Sequence, residues 1–252
     1  MLSIMNDWFD DLRTAVAFLT RLPMPHPDGP MPANFVRAHR MFPVVGAVIG
    51  VFVGLLYLGM LGIGIPNLAA AALALGASAI LTGALHEDGL ADVADGFGGG
   101  RDRSAKLEIM RDSRLGTYGA LILMVSFVAK LSALAALPGA LVLPGLVAAH
   151  ALARGVLPAM SMSLPYARKD GLAANAGRPD LRMAAIAAGL ALAIALLSLP
   201  WTEALAAALA AGGSAVVVGI LAQRQIGGQT GDVLGAAEQA AETAILVLLS
   251  CR

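Results

Sequence analysis

The chain reads as an all-α, polytopic integral membrane bundle of about six to seven transmembrane helices with charged cytoplasmic loops. Three observations predict it. Of the 252 residues, 58% are hydrophobic and only 13% charged, where a soluble domain carries about 25% charged. The apolar residues fall in runs of about 20, the length that crosses a bilayer as a helix. Arginine and lysine avoid every second connection. Residues 1–252 form a single membrane-embedded domain.

In chain order, residues 1–42 form a cytoplasmic or interfacial segment in which Trp8 to Leu22 reads as a short helix at the membrane surface. Pro23, Pro25, Pro27, Pro30 and Pro32 then stop regular structure. The first span is Val44 to Ile65; Pro66-Asn67 makes the turn, and the second span is Leu68 to Leu85. A charged loop runs from His86 to about Gly116. The third span is Thr117 to Leu137, and the fourth, after Pro138-Gly139, is Leu141 to Met160. A polar loop covers Ser161 to Arg182. Met183 to Leu199 and Ala204 to Ala222 are the fifth and sixth spans. A third polar loop, Gln223 to Glu242, precedes an apolar tail, Thr243 to Ser250, too short to cross alone. Begun near Ala236 the tail makes a seventh span, but Glu238 and Glu242 then lie inside it. The spans are rich in Ala and Gly, which favours close helix packing.

Fourteen of the seventeen basic residues lie before span one or in the three charged loops, and the opposite turns near 66, 138 and 202 hold none. The asymmetry places those loops in the cytoplasm, and the protein in the cytoplasmic (inner) membrane. Seventeen acids balance seventeen bases, so charge gives no ground for a nucleic-acid partner. The one cysteine, Cys251, excludes a disulfide framework and a thiolate metal cluster. Asp7, Asp10 and Asp11 argue against a cleaved signal peptide.

Chemistry concentrates in residues 86–116. The stretch H-E-D-G-L-A-D-V-A-D-G-F-G-G-G, His86 to Gly100, places Asp88, Asp92 and Asp95 four and then three apart, on one face of a helix. Three like charges disfavour that helix unless a cation holds them. A divalent metal that also grips phosphate does so economically. Leu90, Ala91, Val93, Ala94 and Phe97 alternate with the acids as in a helix dipping into the membrane, which weighs against a merely solvated acidic loop. His86 ligates or positions phosphate, or is an interfacial histidine. The glycines after Asp95 let backbone N–H groups approach an anion.

Lys106 to Gly119 follows, K-L-E-I-M-R-D-S-R-L-G-T-Y-G. Arg111 and Arg114, three apart, point the same way from a helix and suit phosphate oxygens; Asp112 and Ser113 can complete a metal shell. Ordinary positive-inside anchoring is the competing reading. Residues 223–242 hold R-Q-I-G-G-Q-T-G-D-V-L-G, Arg224 to Gly235. It lacks the Gly-Lys-Ser/Thr of a nucleotide P-loop. Thr230 and Asp232 can touch metal or substrate, and Gly227, Gly228 and Gly231 give backbone access; a plain helix cap and turn is the alternative. Lys130 and Arg154 lie within spans, where a base costs a few kcal/mol. Arg154 shares a face with His150 and meets a phosphate or an acid from another helix.

These motifs resemble the cobalamin-5′-phosphate synthase family, the adenosylcobinamide-GDP ribazoletransferases. The likeness runs nearly end to end: F-L-T-R-L-P at Phe18–Pro23, F-P-V-V-G at Phe42–Gly46, the two central motifs, and G-G-Q-T-G-D-V-L-G at Gly227–Gly235. The central pair is the specific part. The D-G-x-x-D-x-x-D arrangement is also distantly similar to the CDP-alcohol phosphotransferases, without their fuller pattern. Gln229 stands where an aromatic residue is expected.

The resemblance implies a Mg²⁺-dependent membrane transferase of a phosphorus-containing group in late cobalamin (vitamin B12) biosynthesis. It would join adenosylcobinamide-GDP to α-ribazole or α-ribazole 5′-phosphate, giving adenosylcobalamin or its 5′-phosphate and GMP. By motif, Asp88, Asp92 and Asp95 carry over as the metal set, Arg111, Asp112 and Arg114 as companions, and Thr230 with Asp232 as the closing motif. In that chemistry a ribazole hydroxyl attacks the corrinoid-side phosphorus, Arg111 and Arg114 take up charge, and Asp95 accepts the proton. Substrate contacts are expected at His86, Arg154, Gly228 and Thr230, and metal contacts also at Asp112 and Asp232. Membrane lipid is an expected partner; a homo-oligomer or association with other cobalamin-pathway enzymes is compatible with the reading. A lipid phosphotransferase of the CDP-alcohol type and a transporter with a cation site are the alternatives.

Overall fold

The computed structural model describes residues 2–24, 31–168 and 177–251. They are built of helices: α1 (Leu2–Leu19), α2 (Met31–Ala38), a 3₁₀ turn (His39–Met41), α3 (Phe42–Gly62), α4 (Asn67–Thr82), α5 (Leu85–Gly99), α6 (Arg103–Ile109), α7 (Thr117–Ala136), α8 (Gly139–Gly155), α9 (Leu157–Ser163), α10 (Leu181–Ser198), α11 (Trp201–Ile226) and α12 (Gly231–Ser250). Among the described residues the one β-bridge joins Tyr166 to Gln229 in parallel. Six helical stretches are long and apolar enough to cross a membrane: Phe35–Gly62, Thr117–Ala136, Gly139–Ser163, Leu181–Ser198, Trp201–Ile226 and Gly231–Ser250. Helices α4 and α5 pass that test only as a pair bent by 91°, for up to seven crossings.

Three sequence expectations change. The segment expected as a loop from His86 is helical as far as Gly99. The second span is the 16-residue α4, which needs α5 to reach crossing length. The polar loop and short tail after Gln223 are the end of α11 and one continuous 20-residue helix, α12. Glu238 and Glu242 do lie inside that helix, and both are buried among cations. Pro32 also departs from expectation, since it stands in the first turn of α2, where its missing N–H has no helical partner to lose. Pro25, Pro27 and Pro30 lie outside the described residues, as does Lys169.

Small residues bring the spans together. Gly46, Gly50 and Gly54 make a ridge on α3 against α8, where a Cβ would overlap the His150 carbonyl, the Leu146 carbonyl or the Leu143 side chain. Ala184, Ala187, Ala191 and Ala195 form the buried stripe of α10, and Ala204, Ala207, Ala211 and Ala215 that of α11. Lipid tails are as apolar as leucine, so close backbone approach supplies the contact energy such helices need. Val48, Phe52, Leu55, Leu121, Val125, Val128, Leu209 and Val216 point outward. Helix α12 is the hub, packed on α5, α7, α8 and α11. At the N-terminus, α1 is pinned to α2 and the 3₁₀ turn through Asp11. That fully buried carboxylate is 3.2 Å from Arg37 Nε and 2.6 Å from Arg40 Nη2, and the Arg40 guanidinium lies 3.8 Å from the Trp8 ring centre.

Candidate active site

The bend that creates the site lies between α4 and α5. Gly83 (φ +67) ends α4 in the left-handed conformation, and Ala84 (φ +54) repeats it, which costs a non-glycine residue about 1 kcal/mol. Two such residues in succession swing α5 away from α4. The turn is held by Ala84 N–H donating to Ala79 O (2.7 Å) and Arg21 N–H donating to Leu81 O (2.7 Å). The Arg21 side chain fills the space that a Gly83 Cβ would need. Glu87 and Asp88 in the first turn of α5 suit the positive end of the helix dipole.

Glycines then seat α5 directly on α12. A Cβ on Gly89 would lie 2.8 Å from the Asp232 carbonyl oxygen and 3.0 Å from its Cα. A Cβ on Gly235 would lie 3.2 Å from the His86 Cα. This approach puts Asp232, the second residue of α12, beside the acidic face of α5. Asp88 is exposed and Asp92 half-buried. Asp92 feels the charges of Asp88, Asp232 and Asp95, opposed by Arg168.

Asp95, the third member of the expected metal set, has another engagement. Its Oδ2 accepts from Gly116 N–H and its Oδ1 from Gly119 N–H, both at 2.8 Å. These amides open α7, and a helix leaves its first N–H groups unpaired. A Cβ on either glycine would overlap the carboxylate. Asp95 therefore caps α7 from a different helix.

The second motif is a turn after α6. Arg111 and Arg114, expected on one helix face, both lie beyond the end of α6. Asp112 Oδ1 accepts from Arg114 N–H at 3.1 Å, a local bond that competes with helix. Arg114, with a side chain 87% exposed, pairs with Asp112, which holds the Asp112 carboxyl down at about 2. Asp95, Asp112, Arg114, Gly116 and Tyr118 line one open cleft of about 430 Å³.

The G-G-Q-T turn serves the protein's own backbone. Gly228 (φ +155) abuts Pro165, whose carbonyl occupies the place of a Cβ. Gln229 N–H donates to Pro165 O (2.8 Å), and Ala167 N–H donates to Gln229 O (2.9 Å). The Gln229 amide donates to Ser161 O (2.7 Å), so the residue standing where an aromatic was expected ties down the end of α9. Arg103 clamps both strands, donating to Ile226 O and Ala167 O at 2.7 and 2.6 Å. Thr230 caps α12, accepting from Val233 N–H (3.3 Å) and donating to Asp232 Oδ2 (3.0 Å). Arg168, next to the bridged strand, reaches Asp232 Oδ2 at 3.2 Å.

His86 and Arg154, expected at substrate, lie instead in a buried polar cluster between α5, α7, α8 and α12. Arg154 is 1% exposed; it pairs with Glu238 and lies 2.7 Å from both Glu242 Oε2 and His150 Nδ1. Lys130 donates to Gln239 Oε1 (2.7 Å) and to Glu242 Oε1 (3.2 Å). His86 Nδ1 lies 3.1 Å from Glu238 Oε2. Arg154 takes the second of its two expected partners, an acid from another helix. Among the described residues, His150, Glu238 and Glu242 alone bring three ligand atoms within 4.8 Å of one another, but Arg154 and Lys130 already neutralise those carboxylates. The aspartates of the acidic face stand wider apart, as mutual repulsion requires.

Residues 11–250 match the family model described as Cobalamin-5-phosphate synthase. The chain belongs to that family. An adenosylcobinamide-GDP ribazoletransferase of Bradyrhizobium diazoefficiens is 47% identical, covering 94% of this chain and 92% of the relative. Relatives of the same name from Rhizobium etli strain CIAT 652 (43% identical, 98% of each chain) and Mesorhizobium japonicum (45%, 96% of this chain and 93% of the relative) match over similar lengths. No solved structure matches.

In this cobalamin-5-phosphate synthase family member, the polar partnerships of Glu238, Glu242, Gln239 and Arg168 are not legible in the sequence. Glu238 and Glu242 carried one signal: acids four apart in an apolar frame, matching the intramembrane bases Lys130 and Arg154. Arg168 carried none, because its proximity to Asp232 depends on the bridge between residues 166 and 229.

Proposed function

We propose that this protein transfers the cobinamide phosphate of adenosylcobinamide-GDP to α-ribazole or α-ribazole 5′-phosphate, releasing GMP, with its site on the cytoplasmic side of the inner membrane. The observation that carries the reading is the seating of the acidic face of α5 against Asp232 of α12, in a chain whose relatives bear that enzyme name. The distribution of basic residues supports the sidedness. The family match does not favour a lipid phosphotransferase or a transporter.

Asp88, Asp92 and Asp232 offer hard oxygen donors on adjoining backbones, which suits Mg²⁺. When bound, Mg²⁺ would neutralise the diphosphate and the departing phosphate. Asp95 contributes by fixing α5 to the start of α7, and with it the cleft that carries Arg114. Both of its oxygens are already engaged by backbone N–H groups. The ribazole oxygen bonds to the corrinoid-side phosphorus, and the bridging P–O bond breaks. GMP leaves with the bridging oxygen, and a site carboxylate takes the hydroxyl proton. Positioning and electrostatics supply most of the acceleration in such transfers.

The test is GMP release from adenosylcobinamide-GDP and α-ribazole 5′-phosphate by purified protein, with and without EDTA. Release that EDTA stops and Mg²⁺ restores, and that Asp92→Asn abolishes with the protein still in the membrane, is expected. No GMP from wild type, or near-normal turnover by Asp92→Asn at saturating Mg²⁺, overturns the reading.

A further inference from the structure

Arg168 is a cation whose charge acts on both Asp92 and Asp232, and its position is built. The strand holding it is hydrogen-bonded on both sides of Gln229, and Arg103 and Arg178 grip the carbonyls of Ala167 and Leu164. The Arg178 guanidinium also lies 4.8 Å from the Tyr166 ring centre. Such bracing fixes the backbone of a side chain that approaches Asp232 at 3.2 Å. Its Nη1 is buried and has no hydrogen-bond partner among the described residues. An arginine carries five donors in a planar fork that matches phosphate oxygens. A largely covered guanidinium with a buried, unpartnered Nη1 beside Asp92 and Asp232 has an unfilled role.

We infer that Arg168 is the diphosphate-binding arginine of the site, held as counter-ion to Asp232 until substrate arrives. A divalent cation on Asp232 and Asp92 would compete with Arg168 for the Asp232 carboxylate and release its guanidinium toward the phosphate oxygens that the cation leaves uncompensated. The inference rests on the transferase reading for the identity of the diphosphate, but the site chemistry can be tested without the corrinoid.

The probes are Mn²⁺, counted by electron paramagnetic resonance, and inorganic pyrophosphate, titrated calorimetrically in the presence of Mn²⁺, on full-length protein in nanodiscs. Arg168→Gln removes the competing cation and the donor fork together. Mn²⁺ should bind it about 5-fold more tightly, while pyrophosphate binds about 10- to 100-fold more weakly. A structural role would weaken both. Arg168→Lys keeps the charge, so Mn²⁺ affinity should stay within about 2-fold while pyrophosphate weakens about 10-fold; it decides the matter if the glutamine variant does not fold. Unchanged pyrophosphate affinity, or parallel loss of both ligands, overturns the assignment. Failure of wild type to release GMP from adenosylcobinamide-GDP would instead sink the transferase reading and leave the Mn²⁺ and pyrophosphate pattern standing.

Discussion

Gly89→Ala isolates the contact on which the site depends. The added Cβ would stand 2.8 Å from the Asp232 carbonyl oxygen, and ordinary van der Waals contact begins at 3.4 Å. The obstruction is backbone on both sides, so no side chain can swing away. Helix α5 must retreat from α12 by about 0.6 Å, carrying Asp88 and Asp92 away from Asp232. A misplacement of about 1 Å can cost roughly 10²-fold in rate, so kcat should fall about 10- to 100-fold. Helix propensity acts the other way, because alanine is about 1 kcal/mol better than glycine inside a helix. Loss of turnover with little loss of thermal stability is therefore the signature. Steady-state GMP release gives the rate, and differential scanning fluorimetry in detergent gives the midpoint. Gly213→Ala, whose Cβ would meet nothing within 4 Å, is the control and should keep wild-type rates. If Gly89→Ala also turns over within twofold of wild type, close helix approach is not what assembles the site.

Two further outcomes follow from the buried polar groups. Arg154→Ala leaves Glu238 and Glu242 without their shared cation and should destabilise the protein by about 3–5 kcal/mol; a thermal midpoint within 2 °C or so of wild type would contradict this. Asp95→Asn removes the charge at the start of α7 and one of the two acceptors for Gly116 and Gly119, so the midpoint should drop by an amount matching about 1–3 kcal/mol. Its Mn²⁺ affinity should stay within about threefold, and a loss of metal binding by two orders of magnitude would restore Asp95 to the ligand set.

The bundle was legible because burial in lipid demands long apolar runs, and a helix-sized run announces itself. The acidic helix was legible too, since the four-then-three spacing of Asp88, Asp92 and Asp95 has one natural periodicity. The loop expected at residues 86–116 was misread for a local reason. What turns the chain there is a left-handed Ala84 after Gly83, and alanine gives no warning of that conformation. The tail stays open between a short end and a further span in the sequence for the opposite reason, and the structure takes the span. Glu238 and Glu242 forbid a span only if nothing pays their burial, and their partners on α7 and α8 are far away in sequence.

By itself the amino-acid sequence determined the class of protein, the number of crossings to within one, and the helical spacing of Asp88, Asp92 and Asp95, because hydropathy and short-range spacing are properties of neighbouring residues. Only the tertiary structure decided how those groups are shared out: Asp95 to the amides of α7, Arg154 and His86 to the interior, Asp232 and Arg168 to the acidic face. Each of those assignments is a competition for one charge among partners from separate helices, and it is settled by which backbones glycine and alanine allow to touch.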